Sequence, residues 1–343
     1  MGGRLLSETC DINSAVGVDW VSSVVAELQS LPNVRLMPRT TIYGVYDHGT
    51  YGGLETKTDQ IGHKGAKQVL WRIYAKQSVL AAGATERPIA FANNDRPGIM
   101  LASAVRTYQN RYGLEFENLA VLSNNDNALQ TQAAHQLDSR QNQRVTDTAG
   151  RKGLTSIQLH SGEKLPVSAL AVSGGWNPNV HLTCHKRGRP KWNEDLACFV
   201  PDEKNLPAEM HVIGAANGTF STHGTFKEAN AVSENLGYKT SDLPEAEDAP
   251  INVTPFWHVK GTKRAWIDYQ NDVTSKDITL AHQEGFSSVE HVKRYTTLGM
   301  ATDQGRTSNV IGLAVLAEAT GQTIPQTGTT FFRPPYTPVP IGA

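Results

Sequence analysis

Three short stretches place small residues and turn formers where a ligand's phosphate, ribose or ring could sit. The first, QSVLAAGATERP (Gln77 to Pro88), is an apolar run ending in Gly83 and followed by Arg87-Pro88. Glycine at a strand end lets a dinucleotide approach the backbone where a Cβ would clash. The plainer alternative is a strand closing in an ordinary glycine turn. The second, HVIGAANGTFST (His211 to Thr222), reads as a strand ending in Gly214, then small residues, then a helix from about Thr222. Such a helix start offers free N–H groups and a positive dipole end to a phosphate or ribose. In many flavin sites an aspartate after this glycine holds the ribityl chain. Ala215 stands here, which weakens flavin as the ligand and favours another dinucleotide. Its alternative is a strand–helix packing turn.

The third stretch, SGGWNPNVH (Ser173 to His181), combines Gly-Gly and Asn-Pro, both strong turn formers. It reads as a bend at a domain junction; Trp176 could cover a nicotinamide or flavin ring, but packing is the expected role. His181, Cys184 and His185 form the one close group of metal-ligand types. No fourth ligand is apparent, and Lys186, Arg187 and Arg189 make the surroundings basic, so no metal site is expected. Spacing supports no Ser/His/Asp or Cys/His arrangement.

The elements that must position these stretches alternate. Val18 to Leu28 has apolar residues at helical spacing and stops before Pro32. Val34–Met37, Thr40–Tyr46, Val69–Tyr74, Ser78–Gly83, Leu119–Leu122, Val167–Ser173 and His211–Gly214 read as strands, and Leu101–Tyr112 as a helix. Strands alternating with helices predict an α/β domain with parallel pairing. The acidic, proline-containing run Thr240–Asn252 reads as a linker. After it the pattern turns helical, near 276–284, 289–296 and 307–320, the last closed by Gly321. Thr274 with Asp277, and Ser287 with Glu290, are spaced as capping boxes. The proline-rich tail from Phe332 reads as extended.

Composition narrows the function classes. With 343 residues, 39% hydrophobic and 19% charged, the chain is long enough for two or three soluble domains. A net charge of -1 makes no case for nucleic acid or an anionic membrane surface. No apolar run reaches the roughly 20 residues a membrane helix needs. The three cysteines, Cys10, Cys184 and Cys198, are too few and too scattered for a disulfide framework, so a cytoplasmic location is the default expectation.

Long stretches carry a more specific resemblance. VLAAGATERPIAFANNDRPGIMLASAVRTYQNRYG (Val79–Gly113), LAVSGGWNPNVHL (Leu170–Leu182), IDYQNDVTSKDITLAHQEGFSSVEHVKRYTTLGMATDQGRTSNV (Ile267–Val310) and the terminal FFRPPYTPVPIGA resemble the alpha subunit of heterotetrameric sarcosine oxidase. The resemblance implies an incomplete FAD/NAD(P)-binding, Rossmann-like domain at 1–239, a linker at 240–254 and a small helical domain at 255–325. Residues 326–343 would lead toward an aminomethyltransferase-like domain that is absent here. It further implies bound NAD, and partner beta, gamma and delta subunits. FAD and covalent FMN would be held mainly by beta, and the whole complex would demethylate sarcosine to glycine.

The chain departs from that family plan. It begins after the position of the glycine-rich phosphate loop, it is expected to be shortened between Asp138 and Val145, and it stops where the folate domain would start. The helical domain also resembles small iron–sulfur domains, but their four cysteine positions correspond to Asp268, Gln270, Asp303 and Ser308. Cluster iron needs thiolates, so no iron–sulfur cluster is expected. The loop Thr296–Asn309 is instead expected to face the flavin-bearing partner, with Lys293 and Arg306 near a cofactor phosphate. Carried over by resemblance, the NAD contacts are Arg4, Ile42, Ala215, Phe220 and Thr222, with Gly83 and Gly214 making room. Two rival readings remain: a non-catalytic scaffold or decayed fragment without cofactor binding, and a stand-alone flavin reductase, against which Ala215 argues.

Overall fold

The computed structural model describes residues 1–58, 64–240, 242–246 and 251–337. A four-stranded parallel sheet organises the middle of the chain, in the order His135–Asp138, Leu119–Ser123, Ala169–Ser173, Ile99–Leu101. Its two central strands are buried at every position. That burial explains why they read as continuous apolar runs rather than as alternating ones. Ala120, Leu122, Leu170 and Val172 face one core with Ile89, Phe91 and Ile157. Leu119, Val121, Ala169 and Ala171 face the other, against Ala102 and Val105 of the Ala102–Tyr112 helix. Each fully buried leucine contributes about 1.5–3 kcal/mol.

The crossover from Leu119–Ser123 to His135–Asp138 contains one turn of helix, Asp126–Leu129. Parallel neighbours usually need a dozen or more connecting residues. After Asp138 the chain makes a short 3-10 turn, Ser139–Gln141, and enters an antiparallel trio, Val145–Ala149, Ser156–Leu159 and Lys164–Pro166.

A second parallel pair, Ser78–Leu80 with Met210–Val212, joins segments far apart in sequence. Beside it stands an antiparallel trio, Thr40–Tyr46, Thr50–Thr56 and Gln68–Tyr74. The middle strand was not expected, since Gly52 and Gly53 dilute its apolar signal. Val34–Met37 is not a strand. It lies between Pro32 and Pro38, neither of which has an N–H to give a ladder. The first helix is Gly17–Ser30, as its periodicity predicts.

The C-terminal helices are Ser275–Gln283, Val289–Thr296 and Asn309–Thr320. Thr274 and Asp277 form the expected capping box, and Gly321 closes the last helix at φ 68°. The Ser287/Glu290 box does not form: Ser288 is the N-cap, and Glu290 accepts the Phe331 N–H at 3.1 Å. Asn309–Thr320 is buried on nearly all sides, packing against Ile267, Ile278 and Val292 on one flank and Phe199 on the other. Part of the expected linker, 241 and 247–250, lies outside the described residues. Its end is engaged: the Thr254 N–H donates to Asn124 O at 3.0 Å. Among the described residues no helix is long and apolar enough to cross a membrane.

Candidate functional site

The parallel pair brings the first two motifs side by side. Where Ser78–Leu80 and Met210–Val212 end, a cleft of about 500 Å³ opens. Its walls are Arg4, Ala81–Ala84, Trp176 and residues 213–215, 219–222 and 225–226. Six of the seven residues expected to contact NAD line it: Arg4, Gly83, Gly214, Ala215, Phe220 and Thr222. Ile42 stands apart. It lies on the Thr40–Tyr46 strand, and its side chain packs with Val45, Leu182 and Val212.

Two backbone features shape the cleft. Gly83 has φ +70°, and nothing lies within 4 Å of where its Cβ would be, so that position opens into the cleft. Gly214 has φ +67°, and an added Cβ would stand 3.0 Å from Thr225 Cγ2. Both angles favour glycine. Downstream, Ser221 caps the Thr222–Asn235 helix, its hydroxyl accepting the Gly224 N–H at 3.0 Å. The positive end of this helix therefore meets the cleft. Arg4 is the one charged side chain among the cleft residues; it donates to Phe220 O at 3.0 Å and to Thr222 Oγ1 at 2.9 Å. These features suit a ligand with anionic and flat apolar parts, which a dinucleotide has. Trp176, expected to pack, is half-buried and lines the cleft.

Behind Trp176 lies a residue that sequence reasoning treated only as part of a motif. Arg87 is fully buried and donates from Nη1 to Trp176 O at 2.9 Å and Asn177 Oδ1 at 2.8 Å. Its guanidinium sits 4.9 Å from the Trp257 ring centroid. Burial lowers its pKa to about 10, still high enough to keep the charge at neutral pH. Asn177 in turn donates to Arg306 O at 2.9 Å, tying the cleft wall to the helical region. His181 follows, buried, its ring tilted against that of Phe332 with centroids 4.0 Å apart; burial pushes its pKa down to about 3, and that of His185 to about 4. Among the described residues no three His, Cys, Asp or Glu side chains are grouped to hold a metal ion.

Of the four positions matched to cluster cysteines, Asp268 and Asp303 accept backbone N–H groups, Ser308 is buried and Gln270 is exposed. Asp268 accepts the N–H groups of Gln270 at 3.0 Å, Asn271 at 3.2 Å and Gly299 at 2.7 Å. Asp303 accepts the Gly305 N–H at 3.1 Å. Beside them a second cleft, also about 500 Å³, is lined by Lys293, Arg294, Arg333, Gly299–Thr302, Gln304 and one carboxylate, Glu290, which pairs with Arg294 at 3.6 Å. Burial, with Arg333 and Arg294 nearby, holds the Lys293 pKa below its ordinary value despite Glu290. Arg306 does not join this cleft; its guanidinium lies 4.3 Å from the Tyr336 ring centroid.

Comparison with known proteins agrees with the fold and the motifs. Residues 262–343 match the family model for the Sarcosine oxidase A3 domain. Over 100% of its length the chain is 37% identical to the sarcosine oxidase subunit alpha of Rhizobium meliloti (strain 1021) and 35% identical to that of Corynebacterium sp. (strain U-96). It spans 38% and 41% of those two relatives. Among solved structures, L-proline dehydrogenase from P. horikoshii superposes with a TM-score of 0.78 at 19% identity, covering 99% of this chain and 72% of that one. The fold is thus the α/β fold of that dehydrogenase, followed by a helical A3-type domain.

Proposed function

We propose that this chain, a relative of sarcosine oxidase alpha subunits along its whole length, is the NAD-binding subunit of a sarcosine-oxidising flavoprotein complex. The observation that carries the reading is the convergence of Gly83 and the Gly214–Thr222 turn on one cleft beside Arg4. Bound there, NAD supplies a hydride-accepting nicotinamide. The chain's own residues bind and orient: Gly83 and Gly214 leave room, Trp176 and Phe220 offer flat apolar walls, and Arg4 with the Thr222 helix start attracts negative charge. FAD, FMN and the sarcosine pocket belong to the beta subunit in this reading, with gamma and delta completing the complex. Sarcosine oxidation therefore needs the partner.

The reading predicts binding heat when the purified chain is titrated with NAD, alone or with a beta subunit. No heat in either case would remove the NAD claim and leave a scaffold. The basic cleft at Lys293, Arg294 and Arg333 is assigned to the partner-facing side, where it would meet an anionic part of a flavin cofactor. Lys293→Met in a reconstituted complex is expected to lower FMN content; unchanged content would end that assignment.

A further inference from the structure

Glu228 sits two turns into the Thr222–Asn235 helix and is not a cleft-lining residue. Its carboxylate nevertheless gathers three donors from the turn that builds one cleft wall. The Gly214 N–H donates to Oε2 at 2.5 Å; Asn217 Nδ2 donates to Oε1 at 3.1 Å and the Thr219 hydroxyl to Oε1 at 2.6 Å. The turn between these donors has little stiffness of its own. It is a short 3-10 segment, Gly214–Asn217, ended by Gly218 at φ 91°. Its other bonds are a local pair, Gly218 N–H to Ala215 O at 3.2 Å and Thr219 N–H to Gly214 O at 3.0 Å, and one long bond from the Thr225 hydroxyl to Thr219 O at 3.5 Å. Hydrogen bonds to an ionised acceptor are roughly twice as strong as neutral ones. Three converging on one carboxylate outweigh the local pair and tie the turn to the rigid helix behind it.

We propose that Glu228 is the positioning residue of this cleft: without touching the ligand, it sets the turn that presents Ala215, Phe220 and Thr222. The proposal rests on the reading of the cleft as a dinucleotide site. Four variants of the full chain test it, with NAD as the calorimetric probe and amide hydrogen exchange over residues 213–220 as a ligand-independent readout. Glu228→Ala is expected to weaken NAD by about tenfold or more, the equivalent of about 1.4 kcal/mol, and to speed exchange in that turn. Glu228→Gln keeps an acceptor for Gly214 and a polar partner for Thr219, so it should stay within about threefold of wild type. Asn217→Ala removes one donor and should cost about threefold; it carries the test if Glu228→Ala does not fold. Glu234→Ala, on the same helix but bonded to Thr240, should change neither readout. Unchanged affinity in Glu228→Ala, where wild type binds, would overturn the proposal. If wild type does not bind NAD, the dinucleotide reading falls by itself. Exchange then decides: acceleration in Glu228→Ala supports the positioning role, and unchanged exchange overturns it.

Discussion

Two strand–turn–helix junctions in this molecule have the same outline and opposite outcomes. At Met210–Val212 the turn is Gly214 followed by alanines, and it opens onto a cleft. At Leu119–Ser123 the turn is Asn124-Asn125, both completely buried. Asn124 donates to Thr254 O at 2.7 Å and Gly174 O at 3.2 Å, while Asn125 donates to Ser173 Oγ at 3.0 Å and accepts the Ala128 N–H at 3.0 Å. The amide side chains consume the polar groups that a ligand would otherwise meet. A junction built from glycine and alanine cannot fill the strand end with its own side chains, so it leaves room there. The difference shows that here the side chains of the turn decide whether a strand end opens onto a cleft or closes into a joint.

The sharpest way to break this comparison is to give the open turn a side chain. Gly214→Val meets both a left-handed backbone and Thr225, and Gly83→Val meets only the backbone. Each is expected to reduce NAD affinity by more than about a hundredfold, about 2.7 kcal/mol. Only Gly214→Val should also lower stability well beyond the roughly 1–2 kcal/mol of the backbone conformation. Calorimetry and chemical denaturation on both variants separate the two effects.

Emptying the filled joint should do the reverse. Asn125→Ala loses a helix cap and leaves Ser173 and Asn124 short of partners, so denaturation should show a loss of about 2–3 kcal/mol. Its NAD affinity should match that of wild type. Equal loss of affinity would mean that the two junctions are not independent.

Acid should weaken the region behind the open cleft. The folded-state pKa values of His181 and His185 lie at about 3 and about 4, below the unfolded value of 6.5. Protons that the unfolded chain takes up near 6.5 are refused by the fold. Stability is therefore full above about pH 6.5 and falls progressively down to about pH 3–4. By about pH 5 His181 alone should account for roughly 2 kcal/mol. Melting curves across this range should flatten in His181→Leu; an unchanged slope would place the acid sensitivity elsewhere. The smallest effect is expected from Ser221→Ala, which removes the cap of the cleft helix and should cost about 1 kcal/mol of stability with a modest loss of NAD affinity.

Much of this was legible locally. Helical periodicity located Gly17–Ser30, the Thr274/Asp277 spacing announced its helix, and Gly83 and Gly214 marked positions that proved to have positive φ. These signals involve residues within a turn or two of each other. Ser287 with Glu290 shows the limit of such reasoning: the spacing was right, but Phe331 offered Glu290 another donor. Ile42, expected to meet the ligand through its backbone, does not line the cleft, and its side chain packs against the core around Leu182 and Val212.

By itself, the sequence determined where the chain could bend and which runs would be buried, because backbone permissiveness and apolar periodicity are properties of neighbouring residues. It also determined the kinship, through long matched stretches. Only the tertiary structure decided that Gly83 and Gly214 share one cleft, that Asn124 and Asn125 close another junction, and that Arg87 and Glu228 stand behind the cleft wall. The shared cleft depends on parallel pairing between strands more than a hundred residues apart, and the closed joint on the Asn124 bond to Thr254, 130 residues away. Hydrogen bonds across such distances leave no spacing in the chain to read.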